Sequence, residues 1–323
     1  MSGHLRFLLL YGGQSAEHDV SCVSAESLLT AVDRERYDVT TLRIGKDGTW
    51  EGEDPFGALR RADVVFPLLH GPMGEDGTVQ GLLEVAGVPY VGCGVLSSAL
   101  AMDKIVAKQV LAGAGLPQVA SVSGRTTDPL PDASTLGWPR FVKPANMGSS
   151  VGVSKVHDER EQATAIEFAA TYDEWIVVEE GVSAREVECA VLGGVAPEAT
   201  HLGEIVPMAE WYDYEDKYSG EGAELFVPAD VPEGVHDEAR ALAVRAFQAL
   251  RCDGLARVDF FYEEGGRGLL VNEVNTMPGF TPYSMYPRLW ANEGIPYPRL
   301  VDRLVDLALD RHARRAAHRG RAR

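Results

Sequence analysis

Residues 255–275 read LARVDFFYEEGGRGLLVNEVN and are the most informative stretch of this chain. Two runs rich in branched and aromatic residues flank the turn-like EEGGRG, which predicts a β-hairpin. Because side chains alternate between the faces of a strand, Arg257 shares a face with Asp259, and Glu273 shares a face with Asn275. If those faces meet, three oxygen ligands and one guanidinium converge, which suits Mg²⁺ bound to a nucleotide phosphate. Spacing alone leaves open the alternative of a polar outer face on a surface hairpin.

Composition is that of an ordinary globular protein. The 323 residues are enough for two or three domains, and 45% are hydrophobic and 24% charged. A net charge of −18 argues against a nucleic-acid partner, and no apolar run has transmembrane length, which argues against a membrane partner. Four separated cysteines without a CxxC pair indicate reduced thiols in a cytoplasmic protein.

Arginines accumulate at the end of the chain. They are Arg311, Arg314, Arg315, Arg319, Arg321 and Arg323. We expect a frayed and solvated end to the last helix, with a docking arm as the alternative.

The order of predicted elements indicates an α/β protein with several domains. Strand-like and helical segments alternate at first and end with a short predicted strand at 88–91, which is typical of a parallel sheet covered by helices. Ligands of such sheets bind beyond the C-terminal strand ends, where Gly-rich polar loops fall at residues 12–17 and 70–77. A smaller α+β part begins with a predicted helix over 97–111 and includes a second helix over 158–170 that Asp158 is predicted to cap. A part with longer strands follows. The predicted domains are 1–95, 96–180 and 181–312, followed by a basic tail at 313–323.

Residues 143–152, KPANMGSSVG, are a candidate phosphate-binding loop between two predicted strands. Glycine allows close approach of backbone N–H groups to oxygen atoms, Ser149 and Ser150 add donors, and Lys143 adds positive charge. The loop is not a Walker A motif, because GxxxxGK[ST] does not occur in the chain. An ordinary glycine–serine turn is the structural alternative.

Other candidates are weaker when each is taken alone. Lys104, on the predicted helix, would ordinarily be a solvated lysine. Residues 179–182 end a strand and could hold a base through backbone groups, with Glu186 at the ribose, although a charged strand end without a ligand fits the composition better. The aromatic loop 211–220 is typical of a lid that excludes water, with disorder as the alternative.

The segment after Asn275 carries two more candidates. The N–H of Gly279 would lie beside the metal site as an oxyanion donor. Ser284 opens a predicted helix whose N-terminus could bind a carboxylate, and plain N-capping is the alternative.

Taken together, seven segments resemble the D-alanine–D-alanine ligases of the ATP-grasp superfamily. They are GGQSAEHDVS (12–21), LLHGPMGEDGT (68–78), MDK (102–104), VKPANMGSSVG (142–152), YDYEDKY (212–218), ARVDFF (256–261) and NEVNTMPGFTPYSMYP (272–287). The resemblance covers nearly the whole chain. It implies an ATP-grasp fold, in which an N-terminal parallel α/β domain precedes two α+β subdomains that clamp ATP. It also implies ATP-dependent joining of two D-alanine molecules through a D-alanyl phosphate, for peptidoglycan precursor synthesis.

The resemblance further implies a role for each matched position. D-Alanine would be bound by Glu17, His70, Lys217, Tyr218 and Ser284. ATP would be bound by Lys104, Lys143, Ser149, Ser150, Glu179, Glu180, Val182 and Glu186. Two Mg²⁺ or Mn²⁺ ions would be held by Asp259, Glu273 and Asn275. Catalysis would rest on Glu17, Ser149, Tyr218, Arg257 and Gly279. A homodimer is also implied, with the helix predicted over residues 21–32 as a candidate surface.

Three alternatives stay open beside this reading. One is a relative that joins D-alanine to D-lactate, against which Lys217 and Tyr218 favour an amine nucleophile. Another is a ligase for a different small D-amino acid, since one methyl group discriminates weakly. The third is a nucleotide-binding sensor without catalysis, which the retention of Arg257 and the metal ligands disfavours.

Overall fold

The computed structural model describes residues 4–128, 132–207 and 223–318. Its strands are β1 (Leu5–Gly12), β2 (Tyr37–Ile44), β3 (Val64–Leu68), β4 (Ser121–Arg125), β5 (Arg140–Pro144), β6 (Ser154–Val156), β7 (Trp175–Glu180), β8 (Arg185–Gly193), β9 (Glu198–Ala199), β10 (Gly203–Pro207), β11 (Ala223–Phe226), β12 (Gly254–Glu263) and β13 (Gly268–Asn275). Its helices are α1 (His18–Ala31), α2 (Pro55–Arg61), α3 (Thr78–Ala86), α4 (Val95–Met102), α5 (Lys104–Gly113), α6 (Glu159–Ala169), α7 (Glu233–Ala249), α8 (Met285–Asn292) and α9 (Tyr297–His318), with a 3₁₀ turn at Ser134–Leu136. None of the helices in these ranges is long and apolar enough to cross a membrane.

The N-terminal sheet is parallel, in the order β2-β1-β3. All of β3 and the middle of β1 are buried, which explains their continuous apolar runs. The strand expected at residues 88–91 is reduced to a single bridge between Val65 and Tyr90. Because β1 and β3 are neighbours, the loops that follow them lie side by side, as expected.

The central sheet is antiparallel in the order β4-β7-β5-β6, and α6 packs on β5 and β6. Asp158 caps α6, as predicted, by accepting a 2.8 Å hydrogen bond from the Glu161 N–H. The sheet has its own apolar core. The buried members of that core are Ala133, Leu136, Val142, Val156, Ala165, Ala169, Ile176 and Val178.

The single helix predicted over residues 97–111 is wrong, because Asp103 divides it into α4 and α5. The Asp103 carboxylate accepts hydrogen bonds from the N–H groups of Ile105 (2.9 Å) and Val106 (3.0 Å) and so starts a new helix. Ala101 of α4 and Leu111 of α5 are buried in the core of the C-terminal sheet. Both helices therefore contribute to the core of the C-terminal sheet.

The C-terminal sheet has the order β11-β10-β8-β12-β13, with β9 on β8. The predicted hairpin is confirmed as β12 and β13, in a register that pairs Arg257 with Asn275 and Asp259 with Glu273. The opposite neighbour, β8, places Glu188 beside Asp259. Both faces of this sheet are covered, one by α7 and the other by α8 and α9.

One apolar core joins the N-terminal sheet to the C-terminal helices. Phe66 of β3 packs against Phe280, with ring centroids 5.4 Å apart, and Leu300 of α9 is buried in the same cluster. Tyr37 of β2 also donates a 2.9 Å hydrogen bond to the Asp302 carboxylate on α9.

The expectation of a solvated arginine end is wrong for Arg311, whereas most of the helix after it is exposed. Arg311 is only 6% exposed and donates to the carbonyls of Tyr90 (2.8 Å) and Gly92. Arg314 pairs with Asp253 and Arg315 with Glu84. The end of α9 is therefore docked on the segment where the N-terminal domain ends. The remaining arginines, at 319, 321 and 323, lie outside the described residues.

Candidate active site

The two glycine-rich loops of the N-terminal sheet are bonded to each other. The Ser15 hydroxyl donates to the carbonyl of His70 (2.7 Å) and accepts from the Glu17 N–H (3.2 Å). This arrangement holds Glu17 and His70, both predicted to bind substrate, on one side of the cleft.

Glu17 reaches across the cleft to the candidate phosphate loop. The Ser149 hydroxyl donates a 2.6 Å hydrogen bond to its carboxylate. Ser149 and Ser150 both have positive φ, at 50° and 60°, a backbone conformation that non-glycine residues seldom adopt and that often marks functional loops. The structure thus brings together Glu17 and Ser149, which are 132 residues apart in the chain.

His70 forms a buried pair with Glu75, of which only His70 was identified from the sequence. Its Nδ1–H donates to the Met277 carbonyl at 2.9 Å, and Nδ1 lies 3.6 Å from a Glu75 carboxylate oxygen. Burial lowers the pKa of His70, but Glu75 and Glu17 outweigh it, so the net pKa is raised. Burial, and then the charge of Glu17, raise the pKa of Glu75.

The other ring nitrogen of His70, Nε2, is buried and has no hydrogen-bond partner within the described part of the chain. A buried polar atom in that state is ordinarily satisfied by a ligand or water. Glu75 was missed as an individual residue, although it is one of two carboxylates in the predicted loop.

Lys104 is not a solvated lysine. It is the first residue of α5, and its backbone N–H donates to the Ala145 carbonyl (3.0 Å) while Nζ donates to the Met147 carbonyl (2.5 Å). The start of α5 therefore supports the backbone of the candidate phosphate loop.

Lys143 lies beside Glu179 in the central sheet, where a second lysine joins them. Glu179 is 2% exposed, with one carboxylate oxygen 2.5 Å from Lys143 Nζ and the other 2.7 Å from Lys108 Nζ. Burial raises the pKa of Glu179, yet the two lysines outweigh it and lower the pKa to about 2. Lys108 was not identified from the sequence; its position one turn after Lys104 is the signal that could have found it.

The end of β7, which was predicted to hold a base, is fixed by contacts of the Glu180 carboxylate. The Glu180 carboxylate accepts from the Ala120 N–H and pairs with Arg267, each at 2.7 Å. The Glu180 backbone N–H donates to the Ala120 carbonyl at 3.0 Å, and the base-binding role of residues 179–182 stays a prediction. Val182 is half-buried just beyond the strand, and Glu186 is exposed on β8.

Arg257 is surrounded by carboxylates at the centre of the C-terminal sheet. It donates two hydrogen bonds to Asp259 (2.7 and 2.8 Å) and pairs with Glu188 at 3.0 Å. Burial lowers the pKa of the guanidinium, but Asp259, Glu188 and then Glu273 outweigh it and hold the pKa well above its ordinary value. Glu188 was missed, although its alternation with Glu186 along β8 places both on the Arg257 face.

The predicted metal ligands converge on this cluster. Asn275 donates a 2.9 Å hydrogen bond from its amide to Asp259, which leaves the amide oxygen as its metal donor. In the described chain no three or more His, Cys, Asp and Glu side chains are grouped to hold a metal; the predicted set combines two carboxylates with one amide. The donors are hard oxygens and carboxylates outnumber the guanidinium, so the cluster fits Mg²⁺ or Mn²⁺.

The cationic loop and the acidic cluster face each other. Burial lowers the pKa of Lys143, but Glu179, Glu273 and Glu186 together outweigh it and raise the pKa. Arg267, in the turn between β12 and β13, pairs with Glu180 of the central sheet at 2.7 Å, so the two sheets meet at this side of the cleft.

Ser284 follows β13 at the start of α8, and the carboxylate-binding role predicted for it stays a prediction. Ser284 occupies the N-cap position of α8, but its hydroxyl makes no capping hydrogen bond to the helix. Instead it accepts from the Thr281 N–H at 3.1 Å. A Cβ on Gly279 would lie 3.1 Å from the Ser284 hydroxyl, so these two residues are adjacent. Lys217 and Tyr218, predicted on the lid, lie outside the described residues.

Family models and a curated protein match the parts of the chain that contain these residues. A family model described as D-ala D-ala ligase N-terminus matches residues 6–59 and 51–93, and one described as D-ala D-ala ligase C-terminus matches residues 113–306. A D-alanine–D-alanine ligase of Solibacter usitatus is 50% identical over 98% of each chain.

Solved structures show the same fold. The D-alanine–D-alanine ligase from Coxiella burnetii has a TM-score of 0.86 and 35% identity, covering 97% of this chain and 96% of that one. The ligase of that name from Bacillus anthracis, complexed with ATP, has a TM-score of 0.83 and 27% identity, covering 96% and 99%. The similarity to both structures extends over nearly the whole chain.

Proposed function

Because the chain belongs to the D-alanine–D-alanine ligase family, with its ATP-grasp fold, we propose that its cleft joins two D-alanine molecules using ATP. The observation that carries this is the meeting of Glu17 with Ser149 across the cleft, beside a lysine pair and an acidic cluster. Phosphoryl transfer needs positioning and charge neutralisation more than covalent chemistry by the protein. The cleft supplies both.

In the first step the carboxylate of one D-alanine attacks the γ-phosphorus of ATP, and ADP leaves. Glu17 binds the ammonium group of that D-alanine, and the unpartnered Nε2 of His70 faces it. Lys104, Lys143 and the backbone at Ser149 and Ser150 hold the phosphates. Glu179, Glu180 and Val182 hold the adenine, and Glu186 binds the ribose hydroxyls.

In the second step the amine of another D-alanine attacks the acyl carbon of D-alanyl phosphate, loses a proton, and phosphate leaves. The N-terminus of α8 at Ser284 receives the carboxylate of this second substrate. Arg257 and the N–H of Gly279 stabilise the oxyanion. Lys217 and Tyr218 complete the site from the lid and exclude water.

Asp259, Glu273 and Asn275 are proposed to hold two Mg²⁺ or Mn²⁺ ions. Such ions neutralise charge on the β- and γ-phosphate oxygens when bound. Around them Arg257 orients Asp259 through two hydrogen bonds.

We further propose a homodimer in the cytoplasm. The outer face of α1 exposes Val23 at 55%, and the four cysteines are free thiols. Light scattering of the purified protein tests the dimer; a monomer at micromolar concentration would reject it.

The proposed function is tested by measuring ADP and phosphate release with ATP, Mg²⁺ and D-alanine. Parallel reactions contain D-serine, L-alanine, or D-alanine with D-lactate, and products are identified by mass. Equimolar D-alanyl-D-alanine and ADP, without release on L-alanine, support the proposal. Release that requires D-lactate would indicate a depsipeptide ligase, and ATP binding without turnover would indicate a sensor.

A further inference from the structure

Lys108, Glu179 and Lys143 form a buried three-residue cluster at the base-binding end of the cleft. The side chains are 12%, 3% and 13% exposed, respectively. Each lysine contacts a different oxygen of the one carboxylate. Glu179 therefore has two separate counter-ions, whereas one would neutralise it.

The two lysines come from different parts of the fold. Lys143 is on β5, where Phe141 pairs with Glu179 on β7, so Lys143 and Glu179 share a face of the central sheet. Lys108 is on α5, whose Leu111 is buried in the core of the C-terminal sheet. The pair of Lys108 with Glu179 thus joins the central sheet to a neighbouring body.

The proposed function requires Lys143 to turn towards the ATP phosphates. A buried carboxylate that loses its only cation takes up a proton, because the charged form is poorly solvated there. Lys108 contacts the other carboxylate oxygen and has no part in phosphate binding. It can remain on Glu179 while Lys143 moves.

On the basis of the proposed function, we propose that Lys108 is a positioning residue that keeps Glu179 ionised when ATP binds and so sets the preference for adenine over guanine. Adenine presents an amino group at C6, which donates to an ionised carboxylate. Guanine presents a carbonyl oxygen there, which an ionised carboxylate repels. A protonated Glu179 could donate to that carbonyl, so loss of Lys108 weakens the discrimination.

The test compares Lys108→Met with Lys108→Arg in the full-length enzyme, with ATP and with GTP. Lys108→Met should raise KM for ATP about tenfold and change kcat less than about twofold, since the chemistry lies elsewhere. The ratio of kcat/KM for ATP to that for GTP should fall by about tenfold, and Lys108→Arg should restore it. KM for D-alanine should not change.

A double-mutant cycle decides whether Lys108 acts through Glu179. In a Glu179→Gln background, Lys108→Met should change KM for ATP less than about twofold. Equal effects in both backgrounds, or a loss of kcat with an unchanged ATP-to-GTP ratio, would overturn the proposal. If Lys108→Met does not fold, Lys108→Gln takes its place in the cycle.

Calorimetric binding of ATP and GTP without D-alanine separates this inference from the proposed function. A protein that makes no D-alanyl-D-alanine rejects the function, whereas the effect of Lys108 on the ATP-to-GTP affinity ratio can still be measured. An unchanged ratio in Lys108→Met would reject the inference alone.

Discussion

Gly71 determines how closely the His70 loop approaches Glu17. Its φ is +72°, and a Cβ there would lie 2.5 Å from a Glu17 carboxylate oxygen. Gly71→Ala should push that carboxylate away from Ser149 and raise KM for D-alanine by at least about tenfold, because a misplaced binding group loses much of its effect. ATP binding should change little. Steady-state kinetics with each substrate varied in turn measures both effects.

Gly87 provides the matched control for this substitution. Its φ is +71°, but nothing lies within 4 Å of the Cβ position. Gly87→Ala carries the same left-handed strain of about 1–2 kcal/mol without the contact to a site residue. We expect similar losses of stability in both variants, with KM for D-alanine raised only in Gly71→Ala. A rise in both variants would show that strain alone is responsible.

Arg257 is suited to its position by its planar fork. Its Nε and Nη2 bind the two oxygens of Asp259, a geometry that lysine cannot reproduce. Arg257→Lys should lower kcat by about 100-fold or more, as expected when a donor to developing charge is lost. KM for ATP should change far less. A near-normal rate in single-turnover kinetics would show that Arg257 does not stabilise the transition state.

The acid limit of stability should depend partly on Glu179. Its folded-state pKa of about 2 lies below the ordinary 4.5, so it stabilises the fold fully above pH 4.5 and loses that effect as pH falls towards 2. The contribution is at most roughly 3 kcal/mol. Urea unfolding from pH 6 to 3 should show a smaller pH dependence in Glu179→Gln. Parallel curves for the variant and the wild type would contradict this.

Two of the residues that sequence reasoning missed share one physical property. Lys108 and Glu188 are identified by partners on distant segments: Lys108, on α5, meets Glu179 of the central sheet, and Glu188 meets Arg257 on β12. Motif residues such as Asp259 could be predicted because alternation along one hairpin already places them together. Partners across sheets depend on register and packing, which no local pattern contains.

At the scale of elements, an arginine near the end of α9 docks the helix on the N-terminal domain. Arg311 satisfies the carbonyls of Tyr90 and Gly92, and its guanidinium lies 4.3 Å from the Tyr90 ring centroid. Arg311→Met should lower the free energy of unfolding by about 2–4 kcal/mol, because two buried carbonyls lose their hydrogen bonds and the cation–π contact is lost. Urea unfolding monitored by circular dichroism measures it.

Arg315, one turn further along α9, is the control. Its side chain is 50% exposed and pairs with Glu84. Arg315→Met should cost less than about 1 kcal/mol, as for other exposed ion pairs. Comparable losses in both variants would mean that charge, and not the buried contacts of Arg311, docks the helix.

Element boundaries were predictable where a local signal exists. Asp158 was recognised as a cap, whereas Asp103 acts in the same way and was overlooked inside a continuous apolar pattern. The arginine end of α9 looked solvated because its partners, near Tyr90, lie more than 200 residues earlier. Charge composition describes a helix end but does not show what it docks against.

At the scale of the whole molecule, the three sheets are not three equal units. The N-terminal sheet shares one core with α8, α9 and one face of the C-terminal sheet. The core of the central sheet is separate and smaller. Alternation of strands and helices predicted a parallel sheet in the first part of the chain, but it could not show which elements share a core with that sheet, because an apolar face does not specify its partner.

This division predicts how the molecule opens. We expect the central sheet to open as a separate unit, with an opening free energy at least about 2 kcal/mol below that of β1 and β12, because local stability follows the size of the buried core. The N-terminal sheet and helix α9 should open together, since Phe66 of β3 packs on Phe280 and Tyr37 of β2 bonds to Asp302 of α9. Native-state hydrogen exchange over a range of urea concentrations resolves these units.

Ligands should reduce the difference, because the cleft lies between the central sheet and the other two. A non-hydrolysable ATP analogue at 100 times its Kd should raise protection of β5 and β7 by up to about 2.7 kcal/mol. Lys104, which anchors the Met147 carbonyl from α5, lies at that junction. Exchange at one common free energy in all three sheets would show that the molecule opens as one body. Ligand-induced protection confined to β1 would show that the central sheet does not close the cleft.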